Sequence, residues 1–249
     1  MLVMSDNLNE QNKIEQLCLN AVRNSLTKEM CFGVSDNEYE QLKIWLGSAV
    51  PNENSNAFPD FIFEGGFIEH FAVTSSSENR KGSKHKAEMT RFEKGNFDKF
   101  SKAINEKEKG ETVKHFSNKT YAGHSHENIV NSIKKNWNKH VDSLEKYEGI
   151  KEHGIFLIEY ADTFAMETAE IIGNQISEVY DSYRMNTDKE LLEWLYNYKE
   201  KIEYIILFNV SSLEIIKVNQ IMNFIDGVPK GLYVGMPTIV SDRYIGFNV

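Results

Sequence analysis

The chain has few of the residues that would mark a secreted or fibrous protein. Its 249 residues include two cysteines, Cys18 and Cys31, and four prolines. Two thiols cannot build a disulfide framework or a four-thiolate zinc site. So few prolines leave little material for a long extended linker. Hydrophobic residues make up 41% of the chain and aromatic residues 12%, which is ordinary for a domain with a sizeable core. Collagen, coiled coil and wholesale disorder are therefore excluded.

Targeting signals and the common catalytic motifs are also missing. The N-terminal stretch MLVMSDNLNE has no basic region and no sustained apolar run, so it does not predict a signal peptide. The longest apolar run, near residues 204–208, is far shorter than a membrane span. No Walker loop, nucleophile elbow, zinc-protease motif or dinucleotide fingerprint is present. We therefore expect a cytoplasmic protein with no membrane partner.

Positive charge is concentrated in one segment of an acidic chain. The net charge is −9, which argues weakly against nucleic acid as a partner for the chain as a whole. Residues 79–119 nevertheless carry twelve Lys and Arg against six Asp and Glu. A basic segment on an acidic body is typical of a surface that faces phosphate groups, although a solvated helix of mixed charge gives the same pattern.

The order of the predicted elements indicates a mixed α/β fold with helices on both sides of a central sheet. We expect a single domain over residues 1–249, with an N-terminal helical segment over about 1–50. Helices are predicted at 8–27, 35–46, 86–104, 127–147, 168–183 and 188–199. Strands are predicted at 58–64, 67–73, 154–160 and 202–210, with short strands at 232–236, 238–240 and 244–249 and a loop at 107–119.

Two acidic residues lie on the apolar strands of the predicted hairpin. If residues 65 and 66, both glycine, form the turn, Ile62 pairs with Glu69. Asp60 and Glu69 then point to the same face as diagonal neighbours, with Cα atoms roughly 7–8 Å apart or less. Two carboxylates at that separation can reach one hard cation, and Mg²⁺ needs only one or two carboxylates, a substrate phosphate and water. We therefore predict a Mg²⁺ or Mn²⁺ site on Asp60 and Glu69.

This hairpin resembles the signature of the PD-(D/E)xK nuclease superfamily, whose members share the restriction-endonuclease-like fold. Pro59-Asp60, a gap of eight residues and Glu69 match the acidic part of that signature. The F-P-D-F and I-E-H-F stretches are similar to the hairpin of nuclease-like domains attached to some bacterial helicases. The matching motif covers only about 58–73, and it implies a central mixed sheet flanked by helices. Pro-Asp followed by a later acid is also a common turn pattern without a site.

One position departs from the family pattern. Phe71 stands where the family has a lysine, which stabilises charge in the transition state. Some members supply that lysine from a neighbouring element. The candidates in this chain are Lys81, Lys84 and Lys86. Lys86, at the start of the next predicted helix, is our first choice. The resemblance also implies an acid from the first helix, for which Glu38 and Glu40 are available.

The resemblance implies a metal-dependent nuclease that hydrolyses phosphodiester bonds, with DNA as the expected substrate. Asp60 and Glu69 would hold the metal, and Lys86 would be the third catalytic residue. The residues expected to contact nucleic acid are Arg80, Lys81, Lys84, Lys86 and Arg91. The missing lysine leaves an alternative: a catalytically inactive nuclease-fold protein that binds nucleic acid or a protein partner in a bacterial defence or stress system. Whether the chain forms a homodimer stays open.

Overall fold

Helices cover both faces of a central sheet in the computed structural model, which describes residues 2–54, 57–76, 83–108, 110–121, 123–162, 166–172, 175–180, 183–233 and 238–248. Of residues 2–11, 83–86, 166–172, 175–180, 239, 241 and 242 it describes the backbone alone. The helices are α1 (Leu2–Ser25), α2 (Asp36–Ser48), α3 (Ser83–Glu106), α4 (His126–Lys146), α5 (Lys189–Leu195) and α6 (Ile221–Phe224). The strands are β1 (Cys31–Phe32), β2 (Val50–Pro51), β3 (Phe61–Phe63), β4 (Gly66–Val73), β5 (Val113–Tyr121), β6 (His153–Tyr160), β7 (Met166–Ile172), β8 (Gln175–Tyr180), β9 (Tyr204–Asn209), β10 (Ser212–Lys217) and β11 (Thr238–Asn248). None of the helices described combines the length and the apolar character needed to cross a membrane.

The central sheet has seven strands in the order β1-β10-β9-β6-β4-β3-β2. Its middle strands β4, β6 and β9 run parallel, whereas β3 pairs antiparallel with β4 and β10 antiparallel with β9. Parallel neighbours need a long crossover connection, and the connection between β4 and β6 contains α4. The predicted mixed sheet with flanking helices is thus confirmed.

Successive residues of the central strands pack into two different cores. Phe156 and Ile158 of β6 belong to the core shared with α4 and α5, whereas Ile155 and Leu157 belong to the core shared with α1 and α2. All four side chains are buried. A strand covered on both faces requires a continuous apolar run, and the strand predicted at 154–160 has such a run.

A second, four-stranded sheet in the order β5-β11-β7-β8 lies outside the predicted architecture. The expectation of a loop at 107–119 is wrong because much of that segment forms β5. The expectation of a helix at 168–183 is wrong because β7 and β8 form an antiparallel pair there. The segments expected as separate short strands at 238–240 and 244–249 belong to one strand, β11. Helix α3 packs against β5 and β11 and covers one face of their pair.

The hairpin has the predicted strands but a different register. Phe63 pairs with Gly66, so residues 64 and 65 form the turn. The predicted pairing of Ile62 with Glu69 is therefore wrong, since Ile62 lies opposite residue 67. The register differs from the prediction by two residues, and side chains alternate with a period of two. The side chains of β3 and β4 consequently keep the faces that the sequence predicted for them. Asp60 precedes β3, and its carboxylate lies within 4.8 Å of Glu15 of α1 and of the His70 ring.

Gly66 allows the hairpin to approach β6 closely. A Cβ at this position would lie 2.1 Å from the carbonyl oxygen of His153 on β6. Gly66→Ala is therefore expected to lower the free energy of unfolding by about 3 kcal/mol, as overpacking of a tight core does. Gly95→Ala in α3 is the matched control, because nothing lies within 4 Å of the added Cβ. In a helix that change should be neutral or stabilise by up to about 1 kcal/mol. Urea denaturation measures both, and equal stabilities would contradict the close approach.

Candidate functional site

Asp60 and Glu69 are held together by two hydrogen bonds that run in opposite directions. Asp60 directly precedes β3, and Glu69 lies in the middle of β4. The backbone N–H of Asp60 donates to Glu69 Oε2 at 3.1 Å, and the backbone N–H of His70 donates to Asp60 Oδ2 at 2.7 Å. Each carboxylate thus accepts a hydrogen bond from the segment that carries the other. The structure therefore brings together the two acidic residues that the sequence singled out.

A third carboxylate reaches Asp60 from α1. One oxygen each of Glu15 and Asp60 and one ring nitrogen of His70 lie within 4.8 Å of one another. Glu15 is only 7% exposed, which is rare for a glutamate. The two acids that the resemblance suggested lie elsewhere. Glu38 completes the capping box at the start of α2, and Glu40 lies on the exposed surface of that helix. The first-helix acid beside Asp60 is therefore Glu15.

Burial and mutual repulsion make the ionised carboxylates unfavourable. Burial, followed by the charges of Glu69 and Glu15, raises the pKa of Asp60 from 3.8 to about 7. Burial also raises the pKa of Glu69 from 4.5 to about 8, with the Glu15 charge adding to the effect and the Asp60 N–H opposing it. Such values indicate buried negative charge that a cation would compensate. A cluster of carboxyl groups with raised pKa values is a candidate functional site.

Helix α4 adds a histidine on the other side of Glu69. His140 Nδ1 lies 2.5 Å from Glu69 Oε1, and both side chains are largely buried. Burial, together with the positive charge of Lys139, lowers the pKa of His140 from 6.5 to about 4. The raised pKa of Glu69 and the lowered pKa of His140 both favour a neutral pair, in which the carboxyl O–H donates its proton to His140 Nδ1. That proton lies in a short hydrogen bond between the two groups.

Phe71 contacts the Glu69–His140 pair through the histidine ring. Its ring stacks on the His140 imidazole, with ring centroids 4.8 Å apart and an angle of 12° between the planes. Phe71 lies two residues after Glu69 on the same face of β4, so it fixes the ring that contacts the carboxyl group. Lys139, which is exposed, lowers the pKa of both Glu69 and His140 through its charge. The groups that stand near the position of the missing lysine therefore come from α4.

The residues predicted to bind nucleic acid fall mostly outside the described side chains. Arg80 and Lys81 lie outside the described residues. Lys84 and Lys86 belong to the first turn of α3, of which only the backbone is described. Arg91 lies in the same helix and is exposed. The assignment of Lys86 as a catalytic residue and of these basic residues as phosphate contacts stays a prediction.

The two residues that sequence reasoning missed share one recognisable signal. Glu15 precedes the buried positions Cys18 and Leu19 of α1 at three- and four-residue spacing, and His140 follows Trp137 of α4 in the same way. Positions three and four apart share one face of a helix. Glu15 and His140 could therefore have been predicted as site residues, because each is an ionisable residue on the buried face of a helix.

The carboxylates offer a suitable set of ligands for a hard divalent cation. Mg²⁺ and Mn²⁺ prefer oxygen ligands. One oxygen each of Glu15 and Asp60 lies within 4.8 Å of the other and of a ring nitrogen of His70, and Glu69 adjoins this group by accepting from the Asp60 N–H. The buried negative charge that raises the pKa values of Asp60 and Glu69 is what such a cation would neutralise. The residues present thus fit a metal of this class.

Comparison with known proteins gives no match: no family model, no curated protein and no solved structure is significantly similar to this chain. The function is therefore inferred from the side chains of the site.

Proposed function

We propose that the protein is a divalent-cation-dependent phosphodiester hydrolase, a nuclease acting on DNA, with a restriction-endonuclease-like fold. The observation that carries this proposal is the buried cluster of Asp60, Glu69 and Glu15. Crowding carboxylates in a buried place destabilises a fold, so the cluster favours a functional role. The fold assignment is supported by the acidic hairpin β3–β4 and by the sheet of mixed direction with helices on both faces.

Asp60 would be the central ligand of Mg²⁺ or Mn²⁺, with Glu69 and Glu15 next to it. When bound, the ion would lower the pKa of a coordinated water molecule and neutralise charge on the scissile phosphate. The backbone N–H groups of Asp60 and His70 hold the two carboxyl groups of the hairpin in place. Their positions are therefore fixed before a substrate arrives, which favours catalysis by orientation.

The Glu69–His140 pair supplies a place for a proton. An ionised Glu69 is needed for it to act as a ligand, so its proton would leave when the ion binds, and His140 Nδ1, 2.5 Å from Oε1, is placed to relay that proton. Phe71 keeps the imidazole in the orientation that receives it. His140 lies beside Phe71, the position at which the family has its lysine. Lys86 remains the candidate for the positive charge that the family's lysine supplies.

An exposed sheet face favours nucleic acid as the partner, with or without cleavage. On the outer face of β5 and β11, Phe116 lies opposite Ile245 and Lys114 lies opposite Phe247. All four side chains are exposed, and the Lys114 ammonium lies 5.3 Å from the centre of the Phe247 ring. Exposed aromatic rings beside cations can stack on bases and attract phosphates. This face is the observation that supports the alternative of a nucleic-acid-binding protein without catalysis.

The experiment incubates the wild-type protein with supercoiled plasmid and with single-stranded oligonucleotides in Mg²⁺, in Mn²⁺ or in EDTA. We expect cleavage that requires the metal. Calorimetric titration with Mn²⁺ should show weaker binding for Glu15→Gln than for the wild type, because one ligand near Asp60 is lost. Glu40→Gln, on an exposed face of α2, is the matched control and should bind Mn²⁺ like the wild type.

Two results would count against the proposal. If the Glu15 and Glu40 variants bind Mn²⁺ equally, Glu15 is not a ligand of the metal. If the wild type cleaves none of the substrates, the protein is not a nuclease. Salt-sensitive binding of DNA or RNA by that inactive protein would then support the alternative function.

A further inference from the structure

A second group of metal-binding side chains lies on the α1 side of the central sheet, and the proposed hydrolase makes no use of it. It comprises Cys18 of α1, His70 of β4 and Glu159 of β6. One ligand atom from each lies within 4.8 Å of the other two. His70 Nε2 is 3.1 Å from Glu159 Oε2. Three separate elements thus present a thiol, an imidazole and a carboxylate to one point.

We propose that Cys18, His70 and Glu159 form a binding site for Zn²⁺. Thiolate and imidazole are ligands that zinc takes readily, and a carboxylate completes many zinc sites. Mg²⁺ and Ca²⁺ prefer sets made of oxygen alone. The donor set therefore selects a different class of ion from the carboxylates around Asp60.

The spacing of the three ligands is close to what a tetrahedral ion needs. Zinc binds sulfur at about 2.3 Å and nitrogen or oxygen at about 2.0–2.2 Å, so its donors lie roughly 3.3–3.6 Å from one another. The contact between His70 and Glu159 already has nearly this length. The thiol has to approach by little more than about 1 Å, which a change of side-chain rotamer on α1 can provide.

The burial of the three residues agrees with a site that is partly closed. Cys18 and His70 are 4% and 8% exposed, whereas the side chain of Glu159 is 26% exposed. Solvent therefore reaches the site from the side of Glu159, which gives the ion a route of entry and leaves one coordination position for water. Burial and the charge of Glu159 raise the pKa of the Cys18 thiol above its usual range. Zinc would displace the thiol proton on binding.

His70 places this zinc site back to back with the carboxylate cluster. Its ring contacts Glu159, while its backbone N–H donates to Asp60 Oδ2. Glu15 and Cys18 lie three residues apart on α1, so the same helix contributes to both groups. The inference goes beyond the proposed hydrolase and does not depend on it, because Asp60, Glu69 and Glu15 are not among the zinc ligands. His70 is the residue that the two groups share, since a ring nitrogen of it also lies within 4.8 Å of Glu15 and Asp60 oxygens.

The test uses Co²⁺ as a spectroscopic substitute for zinc on the full-length, metal-free protein. Tetrahedral cobalt with a cysteine ligand shows intense visible bands and a sulfur-to-cobalt charge-transfer band in the near ultraviolet. We expect both with one equivalent of Co²⁺, and we expect Zn²⁺ but not excess Mg²⁺ to abolish them. Cys18→Ala should lose the charge-transfer band, whereas Cys31→Ala, which removes the other thiol, should keep it.

A second measurement guards against a variant that fails to fold. Glu159→Gln keeps the shape of the side chain but weakens it as a ligand, so zinc affinity should fall at least tenfold while the circular dichroism spectrum stays unchanged. Zinc should also raise the melting temperature of the wild type and of Cys31→Ala, since it binds only the folded state. Absence of the charge-transfer band in the wild type, or its persistence in Cys18→Ala, would overturn the proposal. Neither result depends on cleavage of nucleic acid.

Discussion

Replacing Asp60 by asparagine is expected to stabilise the metal-free protein at about pH 8 and to lower metal-dependent cleavage by about a hundredfold or more. In the wild type, folding at this pH forces an ionised carboxylate into a buried place beside Glu69 and Glu15, which is why the pKa of Asp60 rises from 3.8 to about 7. Asparagine carries no charge and keeps an oxygen that can accept from the His70 N–H. The gain in the free energy of unfolding is at most about 4 kcal/mol.

The sign of this effect depends on pH in a defined way. The folded state binds the Asp60 proton more tightly than the unfolded state, so the stabilising contribution is fully present below about pH 4 and is lost as the pH rises through about 7. The raised pKa of Glu69 acts in the same direction up to about pH 8. The lowered pKa of His140 acts in the opposite direction below about pH 6.5, but it is present in both proteins. The advantage of Asp60→Asn should therefore vanish towards about pH 4.

Urea denaturation of wild type and variant at several pH values, with and without Mn²⁺, measures this prediction. Asp226→Asn is the matched control, because Asp226 is exposed. Mn²⁺ should stabilise the wild type more than the variant, so the difference between their free energies of unfolding should become smaller. If the variant is less stable than the wild type at about pH 8, the Asp60 carboxylate stabilises the metal-free fold through its hydrogen bonds. That result would contradict the proposal that the carboxylate is kept for a metal ion.

The parts of the fold that the sequence predicts are those in which a local signal and the tertiary structure agree. Ser35 accepts from the N–H of Glu38 at the start of α2, as the Ser-x-x-Glu spacing of a capping box indicates. The helix predicted at 127–147 is α4, and its apolar residues at three- and four-residue spacing are buried. On α1, within the helix predicted at 8–27, Ile14 and Leu17 are exposed whereas Leu19 is buried. The strands that pack against a long helix decide which of its residues are buried. The spacing of apolar residues in the sequence shows that buried face only approximately.

The second sheet is not predicted from the sequence because the face of β5 that packs against α3 is polar. On the side of β5 that faces α3, His115 hydrogen-bonds Asn96 and Lys119 pairs with Glu88. Half-buried and exposed residues therefore alternate along β5, but this is not an alternation of apolar and polar residues. Strands β7 and β8 contain three Glu and one Ala, which favour a helix, beside three Ile, one Thr and one Val, which favour a strand. Pairing with β11 decides their structure, as tertiary contacts often override propensity.

The candidate site is predictable only in the part that lies within one hairpin. Asp60 and Glu69 are nine positions apart on neighbouring strands, and the alternation of side chains fixes their common surroundings even when the register is wrong by two. Glu15 and His140 reach them from α1 and α4, at distances along the chain that no local pattern spans. Glu15 and His140 lie near Asp60 and Glu69 only because α1 and α4 pack on opposite faces of the sheet.

Replacing His140 by alanine is expected to lower kcat for DNA cleavage by about a hundredfold or more, with little change in KM. His140 relays the proton of Glu69 across the 2.5 Å contact, so its loss affects proton transfer in the reaction more than substrate binding. His140→Asn can still hydrogen-bond Glu69 but cannot hold a proton. It should therefore bind Mn²⁺ like the wild type without restoring the rate, and its rate should lack the dependence on pH that the imidazole gives the wild type.

The comparison with Lys86→Met decides which residue takes the place of the missing lysine. If His140 performs that task, Lys86→Met should change kcat by less than about tenfold and should act mainly on KM and its salt dependence, as the loss of a phosphate contact does. A hundredfold loss of kcat in Lys86→Met, with wild-type kcat in His140→Ala, would assign the charge to α3 and reduce His140 to a packing partner of Phe71. Both variants keep Asp60, Glu69 and Glu15, so Mn²⁺ affinity measured in parallel shows whether either change disturbs the metal site itself. Phe71→Leu removes the ring that stacks on the imidazole, and an intermediate loss of rate in that variant would follow only if the orientation of His140 matters.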